Sequence, residues 1–322
     1  MFDLAELEAA AALVHRFVPE TLSVDWPLLS EATGAEVWVK HENHNPTGAF
    51  KVRGGVTFID WLRRERPECP GICTATRGNH GQSQARAAVA AGLRAKVYVP
   101  FGNSVEKNAA MRGYGAELIA FGADFDTARE EAFRVAEREG LQVVPPFHRE
   151  LVRGVATYAL EFLRAAPVLD AVYVPIGCGS GICGTIAARD ALGLKTEVIG
   201  VVSDGADCAL RSVQAGRLVE TAAAATFADG MAVRVPVQEA YDIYSTGASR
   251  IVSVPDDAVA QAIRLYFRCT HNLAEGAGTA GLAALMSERA RMKGRRVGLI
   301  LSGGNIDTEV FAAVLSGGTP AA

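Results

Sequence analysis

Four short segments of the chain carry residue types that could bind and activate a small molecule. The first, HENHNPTGAFKVRGG, places Lys51 directly after a turn signal at residues 45–48 and ahead of a predicted helix. A lysine there could carry chemistry, but alone it would mean little. The alternative for this segment alone is a solvated lysine at the start of a helix, so the interpretation of Lys51 depends on the other three segments.

The second segment, TATRGNHGQSQARAA, places a polar loop at a strand-to-helix junction. Free backbone N–H groups and the positive helix end could hold a carboxylate at Thr76, Arg77, Gly78, Asn79 and His80. The alternative is a structural turn in which Asn79 caps the helix, a role that asparagine often fills.

The third segment, VPIGCGSGICG, has glycines at 177, 179 and 181 between a β-branched strand and an alanine-rich helix. Backbone amides can approach a phosphate there without hindrance from side chains. Residues 179–184 also satisfy the pattern GxGxxG, and Asp204 ends the next predicted strand, as a dinucleotide site would require. Phosphate binding and dinucleotide binding are therefore both open at this loop.

The fourth segment, LILSGGNID, decides between them. Ser302 ends the last hydrophobic strand and is followed by two glycines and Asn305. A dinucleotide fold does not need this segment. A heterocyclic cofactor held at its phosphate by one loop does need a partner for its ring nitrogen from another strand end. Such a cofactor is favoured, with a dinucleotide-dependent oxidoreductase as the alternative.

The elements that must position these segments alternate along the chain. Short β-branched runs, nine in number, are separated mostly by alanine-rich stretches of helical period, which predicts βαβ units and largely parallel sheet. The second and third segments echo each other as strand, glycine-bearing loop, helix and strand. Loops of this kind lie at the carboxyl ends of parallel strands, where α/β proteins bind ligands. Pro145 and Pro146 indicate a crossing point between two lobes.

Composition excludes several other classes of protein. The 322 residues are 49% hydrophobic and 21% charged, with a net charge of −4, so we expect a globular protein without a nucleic-acid interface. No apolar run approaches the roughly 20 residues needed to cross a bilayer. The first residues carry acidic groups where a secretory signal needs basic ones, and the six cysteines show no CxxC pair. A reduced, cytoplasmic protein is expected.

Taken together, the four segments resemble those of the fold-type II pyridoxal-phosphate enzymes. The match is to the threonine/serine dehydratase group, with serine racemase and phenylserine dehydratase as relatives. The family motif Ser-Phe-Lys-x-Arg-Gly appears as residues 49–54 with alanine in place of the serine, and Gly-Asn-His appears at 78–80. Ser-Gly-Gly-Asn is intact at 302–305, the tetraglycine loop is altered to Gly-Cys-Gly-Ser at 177–180, and Glu-Pro-x-x-Gly is altered to Glu-Gly-Ala-Gly at 275–278.

The resemblance implies a role for each matched residue. Lys51 would hold pyridoxal 5'-phosphate as a Schiff base and, once displaced by substrate, remove the α-proton. Asn79 would bind the ring hydroxyl, Ser302 would face the pyridine nitrogen, and Glu275 would tune the region beneath the cofactor. The remaining cofactor contacts implied are Phe50, Gly177, Cys178, Gly179, Ser180 and Gly181.

The resemblance also implies the reaction. A neutral serine lets the ring nitrogen stay largely unprotonated, which makes a weak electron sink and favours prompt loss of a β-leaving group. The cofactor phosphate would give the leaving hydroxide its proton. The products would be a 2-oxo acid and ammonia.

Two departures from the family pattern have consequences. Relatives place a small residue before Gly-Asn-His, and racemases use a serine there as second base, whereas arginine at position 77 cannot act as a base at neutral pH. Racemisation is therefore disfavoured, and we expect Arg77 to pair with the substrate carboxylate or gate the cleft. The stretch GVVSDGADCALRS has no glutamate to bind a cation, although Asp204 and Asp207 are present, so no metal is expected.

These observations predict an α/β protein of the tryptophan synthase β-like fold, with two three-layer lobes around a cofactor cleft. The predicted large domain comprises residues 1–70 and 149–322, and the small domain residues 71–148. The predicted function is dehydration and deamination of a β-hydroxy-α-amino acid such as threonine, serine or phenylserine. The partners expected are an amino-acid substrate and a second copy of the chain, with neither nucleic acid nor membrane. Alternatives are the NAD-dependent oxidoreductase and a cofactor-binding protein without turnover.

Overall fold

The computed structural model describes residues 1–321, which form ten β-strands and fourteen α-helices. The strands are β1 (Ser23–Asp25), β2 (Glu36–His41), β3 (Gly71–Ala75), β4 (Arg94–Val99), β5 (Glu117–Ala120), β6 (Gln142–Val143), β7 (Ala171–Pro175), β8 (Glu197–Ser203), β9 (Arg250–Val254) and β10 (Arg296–Leu301). The helices are α1 (Leu4–Val14), α2 (Pro27–Thr33), α3 (Lys51–Glu65), α4 (Asn79–Ala90), α5 (Val105–Gly113), α6 (Phe125–Glu139), α7 (Arg149–Ala165), α8 (Ser180–Ala191), α9 (Cys208–Ala215), α10 (Gln238–Gly247), α11 (Asp256–Thr270), α12 (Gly276–Ser287), α13 (Arg289–Met292) and α14 (Thr308–Leu315).

The strands form two sheets. The larger has the order β1-β2-β10-β7-β8-β9 and the smaller the order β5-β4-β3-β6. Every pairing is parallel except that of β1 with β2. The smaller sheet lies entirely within residues 71–143, and all strands of the larger sheet lie outside that range. We call residues 71–148 the small lobe and the other described residues the large lobe. These domain limits are the ones predicted from the sequence and remain a proposal.

The nine strands predicted from β-branched runs are all present, and their burial explains why. In β7, residues 171–174 are at most 1% exposed, because helices cover both faces of the large sheet. The prediction missed β1, whose three residues Ser23–Asp25 contain a single apolar side chain and therefore carry no periodic signal. The α/β fold with parallel sheets and helices is confirmed.

A buried ion network fixes the start of α3, two residues beyond Lys51. Arg53 is fully buried and donates from Nε to Glu42 Oε2 at 2.8 Å and from NH2 to Glu161 Oε2 at 2.9 Å. Lys40, also fully buried, donates to Glu161 at 2.6 Å. Removing one member would leave an uncompensated charge in the core, which typically costs about 3–5 kcal/mol. The network therefore joins α3 firmly to β2 and α7.

Candidate active site

The four predicted segments converge at the carboxyl ends of the strands. The segment before α3 runs beside the segment after β10, with an isolated bridge between Ala49 and Gly303 and a bond of 2.9 Å from Gly304 N–H to the carbonyl of Gly48. Gly48 has φ +67°, and a Cβ there would lie 2.4 Å from Asn305 Oδ1. Only glycine fits this turn, which explains the Pro-Thr-Gly signal in the sequence.

Lys51 is the first residue of α3, and its side chain is only partly accessible. Its Nζ lies 4.3 Å from the centre of the Phe50 ring and has no ion pair or hydrogen bond to residues 1–321. Burial lowers the pKa of Lys51, and the acidic groups of Cys178 and Glu275 offset this only in part. The alternative of a solvated lysine is wrong, and the amine is poised to lose its proton readily.

The loop between β3 and α4 leaves backbone amides free for an anion. The hydroxyl of buried Thr76 accepts bonds from the N–H groups of Gly78 at 3.0 Å and Gly81 at 3.3 Å. The first backbone bond of α4 runs from Gln82 N–H to Gly78 O at 3.2 Å. Within residues 1–321 the N–H groups of Asn79 and His80 have no backbone acceptor, so this anion loop, residues 76–80, could hold a carboxylate.

The side chain of Asn79 does not cap α4, in contrast to the alternative considered above. Gly78 occupies the cap position, and Asn79 instead donates from Nδ2 to Glu275 Oε1 at 2.7 Å. Its Oδ1 accepts from Asn305 Nδ2 at 2.8 Å. Glu275 opens α12 without capping it, and burial raises the pKa of its carboxyl, while Lys107, Lys51 and Asn79 oppose the rise. Asn79 is thus held on both sides, with one Nδ2 hydrogen left for a cofactor.

The loop between β7 and α8 is rich in glycine, and we call residues 177–181 the phosphate loop. A Cβ on Gly177 would lie 2.2 Å from the carbonyl of Gly230, and Gly179 has φ +98°. The first backbone bond of α8 joins Cys183 N–H to Gly179 O at 3.0 Å. Within residues 1–321 the amides of residues 180–182 have no backbone acceptor and are therefore free for a phosphate.

Ser302 completes a set of groups that fits pyridoxal phosphate. The residue follows β10 and is 4% exposed, and its hydroxyl has no hydrogen-bond partner among residues 1–321. A free lysine amine, a free serine hydroxyl, a glycine-rich phosphate loop and the remaining hydrogen of Asn79 match the aldehyde, ring nitrogen, phosphate and ring hydroxyl of that cofactor. The site therefore fits the cofactor at each of its polar groups.

Two further residues of the anion loop face different surroundings. Arg77 is exposed and has no ion pair within the described chain, so its guanidinium is free to reach an incoming anion. The His80 ring is partly accessible, yet its Nε2 is buried without a partner. Burial and then the charge of Lys51 lower the pKa of His80 to about 4, so the ring is neutral at pH 7. Side-chain binding of substrate by Arg77 and His80 stays a prediction.

Sequence reasoning missed three residues that lie close to this site. Lys107, in the first turn of α5, forms an ion pair with Asp229 at 2.6 Å, and Gly230 covers the phosphate loop. The signal that could have found them is the Asp-Gly pair in TFADGMA, a turn dipeptide between two predicted elements. Lys107 gave no signal, because a lysine in the first turn of a helix is ordinary.

The predicted absence of a metal site stays a prediction. Within residues 1–321 no group of three or more His, Cys, Asp or Glu side chains is arranged to hold an ion. Asp204 is exposed, and Asp207 pairs with Arg211 at 2.7 Å. The six cysteines are free thiols.

Comparison with known proteins gives the class. Residues 15–303 match the family of pyridoxal-phosphate dependent enzymes, and the chain belongs to that family. L-threonine ammonia-lyase from Thermotoga maritima is 32% identical over 319 residues, which cover 99% of this chain and 79% of the relative. The match includes the loop at 177–184, so the dinucleotide alternative is dropped. The protein is a pyridoxal-phosphate enzyme of fold type II.

Solved structures agree with the family match. The processed form of threonine deaminase isoform 2 from Solanum lycopersicum is 28% identical, with a TM-score of 0.90 over 98% of this chain and 94% of that one. Maize serine racemase is 25% identical, with a TM-score of 0.91 over 98% and 97%. No helix within residues 1–321 is long and apolar enough to span a bilayer.

Proposed function

We propose that this enzyme is an ammonia-lyase that converts a β-hydroxy-α-amino acid into a 2-oxo acid and ammonia. The observation that carries the proposal is that Lys51, with a free amine, and Ser302, with a free neutral hydroxyl, are brought together at one end of the large sheet by the backbone bond from Phe50 to Ser302. The similarity to L-threonine ammonia-lyase and to threonine deaminase supports the same reaction.

Pyridoxal phosphate supplies the electron sink that makes the α-hydrogen of a bound amino acid acidic. The amides of the phosphate loop hold its phosphate, Asn79 holds its ring hydroxyl, and Ser302 meets its ring nitrogen with a neutral group. The amides of the anion loop orient the substrate carboxylate. Lys51 Nζ takes the α-proton, and its lowered pKa leaves a larger share of the amine in the basic form at neutral pH.

Position 77 argues for elimination over racemisation. Racemisation needs a second group that delivers a proton from the face opposite Lys51, and a guanidinium neither loses nor accepts a proton at neutral pH. We propose instead that Arg77, exposed at the anion loop and free of ion pairs within the described residues, pairs with the substrate carboxylate. The similarity to maize serine racemase keeps racemisation as a side activity to be measured.

A panel of β-hydroxyamino acids tests the reaction and its substrate together. Threonine, serine and phenylserine, each as separate stereoisomers, are incubated with the purified holoenzyme, and 2-oxo acid, ammonia and the enantiomer of recovered substrate are measured. We expect equal amounts of 2-oxo acid and ammonia from at least one of them. A cofactor absorbance band without product from any substrate would indicate a binding protein without turnover, and the proposal would then be wrong.

We further propose that the enzyme is a cytoplasmic homodimer. The free thiols support a reducing compartment. Light scattering on the eluting peak of a size-exclusion column tests the assembly. A mass near 68 kDa, twice the 33.9 kDa of the chain, is expected, and a mass equal to one chain would contradict it.

A further inference from the structure

Lys107 is a largely covered cation beside the cleft to which the proposed reaction gives no role. It lies in the first turn of α5 in the small lobe, with 11% of its side chain exposed. Its Nζ donates to Asp229 Oδ2 at 2.6 Å, and Asp229 opens the short 3-10 turn at 229–231 in the large lobe. The ion pair therefore crosses from one lobe to the other.

The alkyl chain of Lys107 lies against the anion loop. A Cβ built on Gly78 would come 2.8 Å from Lys107 Cδ, closer than real carbon atoms approach. The lysine thus fills the space that a side chain at position 78 would occupy. Any movement of Lys107 changes the support of the loop at the amides that could hold a carboxylate.

The other end of the ion pair lies against the phosphate loop. Asp229 is followed directly by Gly230, whose carbonyl lies 2.2 Å from where a Cβ on Gly177 would stand. The turn at 229–231 therefore packs on the phosphate loop without any intervening side chain. One ion pair consequently connects the two loops on opposite sides of the cleft.

Neighbouring contacts keep this end of α5 in place. Ser104 Oγ donates to Asp307 Oδ1 at 2.6 Å, and the amide of Thr308 donates to Glu106 Oε1 at 3.0 Å. Burial acts to lower the pKa of Lys107, but the carboxylates of Asp229, Glu275 and Asp307 outweigh it, and the net pKa is raised. Lys107 is therefore charged across the physiological range.

We propose that Lys107 is a positioning residue whose ion pair with Asp229 sets the anion loop at the correct distance from the phosphate loop. The inference rests on the proposed function in one respect, because the anion loop is taken to hold the substrate carboxylate. Lys107 itself is not proposed to touch the reacting atoms or the cofactor. It would affect substrate binding through its packing against Gly78 and through the turn at Gly230.

Two conservative variants test the inference on the holoenzyme. Lys107→Met keeps most of the alkyl chain and removes the charge, and Asp229→Asn removes the partner charge. We expect either variant to raise the KM about fivefold while kcat changes less. A fivefold change corresponds to the free energy of a partly exposed ion pair. The double variant should be no worse than either single one, because both remove the same interaction. Lys195→Met, at an exposed lysine, is the control.

Amide hydrogen exchange supplies a readout that does not depend on turnover. In the substrate-free holoenzyme, Lys107→Met should speed exchange within residues 76–80 severalfold, with the thermal midpoint shifted no more than in the control. Unchanged exchange in the loop, or additive losses in the double variant, would overturn the inference. If the panel of hydroxyamino acids gave no product, the exchange result would still decide the role of Lys107.

Discussion

The backbone amide of Phe50 donates a hydrogen bond to the carbonyl of Ser302 over 3.0 Å. This bond joins two residues that are far apart in the chain and places the start of α3 beside the end of β10. The base and the proposed partner of the ring nitrogen therefore share one rigid support. A shift of one would move the other, so their separation is set by backbone rather than by side-chain packing.

Lys51→Ala should abolish covalent attachment of the cofactor and reduce turnover at least 100-fold, because the variant loses its base. Borohydride reduction followed by peptide mass spectrometry should find the cofactor on Lys51 in the wild type and nowhere in the variant. Lys195→Ala, at an exposed lysine, should leave both measurements unchanged. Label at another lysine in wild-type enzyme would contradict the assignment.

Ser302→Asp should change the fate of the α-carbon. A carboxylate beside the ring nitrogen would favour its protonation and strengthen the electron sink, so the α-proton should exchange with solvent before the β-group leaves. In D2O, the ratio of 2-oxo acid formed to deuterium in recovered substrate should fall by about tenfold or more. Ser302→Ala should lower turnover without raising exchange. Equal ratios in wild type and Ser302→Asp would argue against this role.

Gly179→Ala should weaken cofactor binding by about tenfold or more, because φ +98° is strained for alanine and the new Cβ would lie 2.7 Å from Ala240 Cβ. Gly193→Ala is the matched control, since Gly193 has φ +65° with nothing within 4 Å of a Cβ. It should cost only about 1–2 kcal/mol of stability and leave cofactor affinity intact. Titration of the apoenzyme with cofactor, followed by absorbance, makes the comparison.

Arg77→Ala should raise the KM about tenfold with a smaller change in kcat, because a charge-assisted contact to the substrate carboxylate is lost on binding. Arg217→Ala, at another exposed arginine without an ion pair in the described chain, is the control. Steady-state kinetics with the best substrate of the panel measure both. Unchanged KM and kcat in Arg77→Ala would remove Arg77 from the site.

The stability of the protein should fall as the pH drops from about 6.5 towards 4, with His41 a principal contributor. Burial, and then the charge of His44, lowers the pKa of His41 to about 4, and its Nε2 accepts a bond from Trp26 at 3.0 Å. Above pH 6.5 the ring is neutral in both states. Between pH 6.5 and pH 4 the unfolded chain binds the proton more readily than the folded one. The free energy of unfolding is therefore lower by roughly 2 kcal/mol at pH 5.

Urea unfolding of the apoenzyme at pH 7 and pH 5, followed by tryptophan fluorescence, measures this effect. His41→Gln keeps an acceptor for Trp26 and should reduce the loss between the two pH values by roughly 2 kcal/mol, while the loss due to His80, whose pKa is also lowered to about 4, should remain. His271→Asn is the control, because His271 is exposed and its left-handed φ of 53° suits asparagine. The same pH dependence in His41→Gln as in wild type would contradict the assignment.

The sequence was most informative where chemistry and backbone geometry restrict the residue type. The glycines at 48, 177 and 179 stand at turns or close approaches that exclude side chains, so their spacing alone predicted loops at strand ends. The β-branched strands were readable because parallel sheet is covered on both faces. The position of Lys51 followed from its motif, and the structure gives that lysine the burial that a motif alone does not.

Long-range pairing could not be read in the same way. Nothing in the sequence near Asn79 indicates that its side chain reaches Glu275 and Asn305 rather than the amides of its own helix. The Lys107–Asp229 pair depends on how two lobes meet, which local periodicity does not encode. Short β1 was missed because three residues carry too little pattern, and its register comes from pairing with β2.

The position of β10 has a consequence for how the protein is made. This strand lies between β2 and β7, although the ribosome synthesises it after the other nine strands of residues 1–321. Until residues 296–301 emerge, β2 and β7 have no common neighbour, and each presents an open edge that can pair with other chains. The nascent protein is therefore open to aggregation until residues 296–301 have been synthesised, and it can complete its cofactor site only after that point.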